Sequence, residues 1–151
     1  MNWHFAAHES QLSGKSAIEL RHLESLLGEP MILVSGDDVR CISNVCTHRG
    51  MLLVDGSCSR STLQCPYHGR TFGLDGTMKS MPEFALTEDF PSAQDNLRTF
   101  PSISWKGLIF TGLEPSGLKA CLKEMEDRIG WIPIEKFEYD HSRNRYYEIR
   151  A

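Results

Sequence analysis

The sequence of 151 residues lacks a long hydrophobic segment, a strong charge of either sign and any internal repeat. No apolar run approaches the roughly 20 residues that a membrane-spanning helix requires, so we expect no membrane association. The formal net charge is only −4, which argues against nucleic acid and anionic membranes as partners because both select basic surfaces. Residues 1–9 contain no apolar stretch, so we expect no secretory signal and a cytoplasmic protein.

The chain has the length of one domain and an odd number of cysteines. One domain takes roughly 150 residues, and 40% hydrophobic with 24% charged residues is ordinary for a globular protein. Five cysteines do not suggest a disulfide framework in a cytoplasmic chain. We therefore expect residues 1–151 to form a single domain whose cysteines bind metal or, as we expect for Cys41, Cys58 and Cys121, pack as core thiols.

Short β-like segments separated by turn residues dominate the first 111 residues. Residues 31–43 (MILVSGDDVRCIS) predict a β-hairpin. The pair Asp75-Gly76 predicts a second hairpin because both positions tolerate positive φ. Residues 97–100 and 108–111 are two further strand candidates. Many short strands with frequent turns indicate an antiparallel all-β domain.

Helical patterns are limited to two places. Residues 18–27 are compatible with a helix, which residues 28–30 (GEP) would end. Near the C-terminus, apolar side chains recur at helical spacing: Leu118, Cys121, Leu122, Met125 and Ile129. With Ser116 as the N-cap and Gly130 as the stop, this spacing predicts a helix packed on the sheet.

Two short blocks each combine one cysteine with one histidine, which predicts a four-ligand metal site. Cys46 and His48 belong to CTHRG, and Cys65 and His68 belong to CPYHG. In a Rieske centre, two thiolates bind one iron and two imidazoles bind the other, so one Cys and one His per loop lets each loop reach both irons. A structural zinc ion also accepts two cysteines and two histidines, but zinc modules usually group like ligands together. The mixed loops favour the iron–sulfur centre, and zinc is the alternative.

The two blocks resemble the Rieske motif of the ring-hydroxylating oxygenases. Residues 46–50 (CTHRG) and 65–76 (CPYHGRTFGLDG) are most similar to the N-terminal Rieske domain of the oxygenase large (α) subunit, and residues 3–5 (WHF) and 105–110 (WKGLIF) follow the same pattern. The resemblance extends from about residue 3 to residue 151. It implies three small antiparallel sheets, two cluster-binding loops at about residues 44–52 and 64–73 at one tip, and one C-terminal helix.

The resemblance also implies a cofactor and a role. A Rieske-type [2Fe–2S] cluster would be bound by Cys46, His48, Cys65 and His68, and Met81-Pro82 would form a third loop covering it. An NAD(P)H-dependent reductase or a ferredoxin would supply single electrons. The acceptor would be the non-haem iron in the catalytic domain of an aromatic-ring-hydroxylating dioxygenase or monooxygenase. A free-standing Rieske ferredoxin is the second interpretation, and a structural zinc module is the third.

Two departures from related families shape these expectations. In oxygenases, two histidines five residues apart bind the mononuclear catalytic iron, but after His68 the sequence contains only His141. We therefore expect the catalytic domain to be absent, and the chain by itself to transfer electrons without an oxygenase active site. Respiratory Rieske proteins carry hydroxyl donors to the cluster where this chain has Arg70 and Phe72. Fewer donors predict a potential on the order of −150 mV, the low end of the Rieske range.

Overall fold

The computed structural model describes residues 3–36, 38–84, 86–113 and 116–145, together with residues 147 and 149. Within these residues the chain forms eleven strands and two α-helices. The strands are β1 His4–His8, β2 Ala17–Glu19, β3 Met31–Ser35, β4 Val39–Ser43, β5 Ser57–Cys58, β6 Thr62–Gln64, β7 Thr71–Gly73, β8 Met78–Ser80, β9 Thr99–Phe100, β10 Ser102–Trp105 and β11 Leu108–Thr111. The helices are α1 Arg21–Leu27 and α2 Leu118–Ile129.

The strands form three antiparallel sheets, which confirms the predicted all-β architecture. Their orders are β1-β11-β10, β5-β2-β3-β4-β9 and β6-β7-β8. Both predicted hairpins are present: β3 pairs with β4, with Met31 opposite Ser43, and β7 pairs with β8, with Thr71 opposite Ser80. Strand β11 has the predicted bounds, whereas residues 97–100 contribute only the two-residue strand β9.

The central sheet has a hydrophobic core on each face. Successive side chains of a strand point to opposite faces, so Ile32 and Val34 of β3 pack in one core, and Met31 and Leu33 pack in the other. This burial on both faces explains why β3 is a continuous apolar run and does not alternate with polar residues. The core that contains Ile32 also includes Cys46 and Cys65, so the two cysteines of the predicted ligand set are part of the packed interior.

The helices differ from the prediction in three respects. The first part of residues 18–27 belongs to strand β2, and only the second part forms the helix α1. The predicted fold had a single helix, near the C-terminus, so α1 is additional to it. The helix α2 is confirmed, but its N-cap is Gly117, in the left-handed conformation with φ 76°, and not Ser116. The thiol predicted to be buried at Cys121 is exposed. Among the apolar residues predicted to line one side of α2, Leu122 alone is buried.

The other non-ligand thiols lie near or inside the cores. Cys41 is fully buried, as predicted, and burial raises the pKa of its thiol to about 11, which keeps it protonated and unreactive. Cys58 on β5 is half-buried. Among the described residues, no helix combines the length and the apolar composition that crossing a bilayer requires.

A fully buried asparagine closes the base of the first predicted ligand loop. The Nδ2 group of Asn44 donates to the carbonyl of Val54 at 2.8 Å, and the Val54 amide donates to Asn44 Oδ1 at 2.9 Å. The amide and the carbonyl of Val54 therefore both depend on this one side chain, because a dry interior offers no replacement for its hydrogen bonds.

Replacing Asn44 with alanine should destabilise the fold by roughly 2–4 kcal/mol, because it leaves two buried backbone groups unpaired. The midpoint and slope of urea unfolding measure this loss. The matched control is Ser59→Ala, which removes an exposed hydrogen bond of 2.7 Å to the Gly14 carbonyl. An Asn44→Ala loss as small as that of Ser59→Ala would contradict the assigned role.

Candidate metal centre

The two predicted ligand loops share one backbone hydrogen-bond pattern. In the first loop, the Cys46 amide donates to the Met51 carbonyl at 2.8 Å and the Gly50 amide donates to the Cys46 carbonyl at 3.0 Å. In the second loop, the Cys65 amide donates to the Arg70 carbonyl at 2.8 Å, and the Gly69 amide donates to the Cys65 carbonyl at 3.0 Å. Each cysteine is thus held at the start of an equivalent tight turn, and the histidine follows within that turn.

The structure brings the four predicted ligands together as two like pairs. The Nδ1 atoms of His48 and His68 are 3.2 Å apart, and the centroids of the two rings are 4.9 Å apart. Cys46 and Cys65 are both buried, and their thiols are close enough for Cys65 to raise the pKa of Cys46. The thiols therefore face the interior, whereas the imidazoles lie half-buried or exposed at the surface.

The environment of His48 favours the protonation state that metal binding needs. The pKa of His48 is lowered, first by partial loss of solvent and then by the positive charges of His68, Arg70 and Arg49. A neutral imidazole is the form that binds a metal. The pKa of Cys46 is raised, chiefly by burial, while the His48 amide and the charge of Arg70 act in the opposite direction. A bound cation overcomes the effect of burial, because it deprotonates a coordinating thiol.

The pairing of like ligands matches the donor set of a binuclear iron–sulfur cluster. Such a cluster needs two thiolates on one iron and two imidazoles on the other. Among the described parts of the chain, no three or more His, Cys, Asp or Glu side chains are grouped so as to hold a single ion. The side chains present fit the two-plus-two requirement of the Rieske cluster.

The family follows from a comparison with known proteins. Residues 2–101 match the family model described as the Rieske [2Fe-2S] domain. The chain belongs to the Rieske [2Fe–2S] domain family. Its cofactor is accordingly a Rieske-type [2Fe–2S] cluster.

The relatives of this Rieske domain are oxygenase subunits. It is 30% identical over 117 residues to the chloroplastic choline monooxygenase of Beta vulgaris, covering 76% of this chain and 25% of that protein. It is 30% identical over 118 residues to the carnitine monooxygenase oxygenase subunit of Escherichia coli (strain K12), covering 76% of this chain and 31% of the subunit. A solved quaternary ammonium Rieske monooxygenase superposes with a TM-score of 0.73 at 26% identity, over 86% of this chain and 36% of that one.

These comparisons confirm the resemblance to oxygenase α subunits and the electron-relay role of the domain. They do not favour the ferredoxin or zinc interpretations. The chain spans about a quarter to a third of the length of the curated relatives that it matches.

A third segment of the Rieske domain lies against the second ligand loop, where Met81-Pro82 was predicted to cover the cluster. Met81 is buried in the core that contains the ligand cysteines. A Cβ atom added at Gly69 would lie 3.1 Å from Cγ of Pro82, so the second loop and this segment are in close contact. A cavity of about 420 Å³ between this segment and the histidines is lined by His48, Arg49, His68, Met81, Pro82, Glu83 and Phe84.

Arg49 and Arg70 follow the histidines of the first and the second predicted ligand loop, and their environments differ. Arg49 is exposed, whereas Arg70 is buried and donates to the Thr47 hydroxyl at 2.7 Å and to Asp95 Oδ1 at 3.0 Å. Sequence reasoning missed Thr47 and Asp95. No local pattern marks Asp95, because it lies 25 residues beyond Arg70 and reaches it only in the folded chain.

Met51 in the first predicted ligand loop and Tyr67 in the second are both at the surface. Met51 is 44% exposed and Tyr67 is 59% exposed. The Tyr67 ring stacks on the His68 ring, with centroids 3.7 Å apart and an angle of 26° between the planes. None of the five cysteines forms a disulfide in the structure.

Alanine at Gly69 should damage the site more than alanine at Gly50. Both glycines have a positive φ, 71° and 72° respectively, and this conformation costs an alanine roughly 1–2 kcal/mol. An added Cβ meets nothing within 4 Å at Gly50, whereas at Gly69 it meets the rigid ring of Pro82. Thermal unfolding and cluster content measure both effects. Equal losses in the two variants would mean that contact with Pro82 does not position the second loop.

Proposed function

We propose that Cys46, His48, Cys65 and His68 are the four protein ligands of the Rieske cluster. The observation that carries the proposal is the pairing of the two Nδ1 atoms at 3.2 Å beside two buried thiols. In this assignment the thiolates bind the inner iron and the imidazoles bind the outer iron. Replacing thiolates with neutral imidazoles removes negative charge, which raises the potential above that of an all-cysteine cluster.

The bound cluster supplies one-electron chemistry, and the residues around it control how a partner reaches it. Cys46 and Cys65 lie at 2% and 3% exposure, so water is kept from the sulfurs, a condition that tunes the potential. The rings of His48 and His68 lie at the surface and provide the path by which an electron leaves. Tyr67, stacked on His68, extends this exposed aromatic surface.

We further propose that the electron donor is an NAD(P)H-dependent reductase or a ferredoxin, and that the acceptor is the non-haem iron of an oxygenase catalytic domain. The named relatives are oxygenases or oxygenase subunits, which supports an acceptor of this class. The choice of substrate belongs to that catalytic domain and not to the ligand loops described above.

We propose that residues 1–151 act as one domain, including the part beyond the matched family region. Two contacts support this by tying the C-terminal segment to the turn between β10 and β11. Trp105 Nε1 donates to the Glu126 carboxylate at 2.9 Å, and Lys106 Nζ donates to the Gly130 carbonyl at 2.5 Å.

The ligand assignment predicts that Cys46→Ser and His68→Ala abolish the native cluster, because each removes one of two ligands from one iron. Cys121→Ser is the matched control, since this thiol is exposed on α2, and it should leave the cluster intact. The measurement is the visible absorption spectrum together with EPR of the anaerobically reduced protein. Native Rieske spectra in Cys46→Ser would overturn the assignment, and a colourless wild-type protein with stoichiometric zinc would overturn the electron-transfer function.

The reduction potential should lie on the order of −150 mV, far from the upper end near +300 mV. The physical reason is that Phe72, fully buried beside the second loop, offers no hydroxyl donor to a reduced cluster. Voltammetry of the cluster-loaded wild-type protein measures the potential. A value near the upper end would show that other donors replace the missing hydroxyl.

A further inference from the structure

We propose that Arg70 and Asp95 are positioning residues for the cluster: their ion pair, in which Arg70 is buried and Asp95 half-buried, joins the two ligand loops through Thr47 and adjusts the reduction potential by its charge. The proposal rests on the proposed function, since it needs a redox cluster between the loops. Neither residue is among the proposed ligands.

The contacts among Arg70, Thr47 and Asp95 form a closed triangle. Arg70 Nη1 donates to Thr47 Oγ1 at 2.7 Å, and Arg70 Nη2 donates to Asp95 Oδ1 at 3.0 Å. Thr47 Oγ1 in turn donates to the Asp95 backbone carbonyl at 2.7 Å. Thr47 lies between the two ligands of the first loop and Arg70 closes the second loop, so the triangle links both loops to a third segment.

Hydrogen bonds other than the one from Arg70 also hold the Asp95 carboxylate in place. Its Oδ2 atom accepts the Ser92 amide at 2.8 Å and the Ser92 hydroxyl at 2.9 Å, at the start of the 3-10 helix Ala93–Asp95. These hydrogen bonds, followed by the charge of Arg70, keep the pKa of Asp95 below its usual range. The carboxylate therefore remains charged near neutral pH and presents its other oxygen to the guanidinium.

The Arg70 side chain is only 6% exposed, unlike an ordinary surface arginine. Its Cζ atom lies 5.4 Å from the centroid of the Phe90 ring, which restricts water on that side. Its Nε donor has no acceptor among the described residues. A charge in such a position acts on its neighbours with little screening by solvent.

The direction of the effect on the potential follows from the charges. Reduction adds one negative charge to the cluster, so the Arg70 cation stabilises the reduced state and the Asp95 anion destabilises it. Removing each charge separately must then shift the potential in opposite directions. A purely structural role predicts no such difference in sign, because both substitutions break the same contact.

The decisive experiment measures the potential of cluster-loaded Arg70→Met and Asp95→Asn by voltammetry. We expect Arg70→Met to decrease the reduction equilibrium constant about tenfold, a shift of about 59 mV for one electron, and Asp95→Asn to increase it. The matched controls are Arg128→Met and Glu124→Gln, which disrupt an exposed ion pair of 2.7 Å on α2. These controls should leave the potential unchanged, because solvent screens exposed pairs. Shifts of one sign, or none, in Arg70→Met and Asp95→Asn would overturn the charge role.

Thr47 tests the link between the loops without any change of charge. Thr47→Val keeps the ion pair but removes the bridging hydroxyl, so we expect faster loss of the visible absorbance under a chelator and a nearly unchanged potential. Thr47→Ser restores the hydroxyl and should restore the wild-type lifetime. Equal lifetimes in Thr47→Val and the wild type would overturn the positioning role.

The outcomes separate this inference from the function on which it rests. A wild-type protein without a rhombic Rieske EPR signal removes the proposed function and the inference with it. A normal wild-type signal with unshifted variants removes the inference alone. If Arg70→Met fails to assemble a cluster, Arg70→Lys keeps the charge and decides the question. Arg70→Lys should assemble the cluster, and its potential should lie closer to the wild-type potential than to the potential expected for Arg70→Met. Failure to do so counts against the charge role.

Discussion

The backbone hydrogen bonds of the two cysteine turns are the contacts on which the metal centre depends. In each loop the cysteine amide and carbonyl are both engaged within five residues, so each sulfur leaves the backbone in a defined direction. Sixteen residues separate His48 from Cys65 in sequence, yet the equivalent turns let like ligands meet. A rigid turn loses little freedom when it binds a metal, and preorganised ligands bind more tightly for that reason.

The thiols of the two proposed cysteine ligands belong to the hydrophobic core, so a cluster that they bind is coupled to the fold. Cys46 and Cys65 pack with Ile32 of the central sheet and with Phe72 of the hairpin β7–β8. Metal binding to buried groups contributes directly to folding free energy, since the unfolded chain holds no such site. The imidazoles lie outside this core, so the same arrangement keeps the sulfurs dry and leaves an aromatic surface accessible to a partner.

A buried charge beside the ligands is the least expected feature of the site. No covalent link joins the two loops, because all five cysteines are free. Arg70, Thr47 and Asp95 provide a polar connection between the loops. Even an ion pair that is largely buried adds little stability by itself, because desolvation offsets much of the attraction. In our proposal, the ion pair instead fixes the positions of the two loops and acts by its charge on the proposed ligands.

The sequence by itself determined the all-β class, both hairpins, the helix α2 and the ligand pattern, because local turn chemistry and short-range spacing carry those signals. Tertiary structure decided what depends on packing between distant segments. Cys121 follows helical spacing but is exposed, because packing against the rest of the fold decides which side of α2 is covered. Arg70 pairs with Asp95 only in the folded chain, because the two residues are distant in sequence and no periodic pattern relates them. The facing imidazoles of His48 and His68 likewise exist only where two separate turns converge.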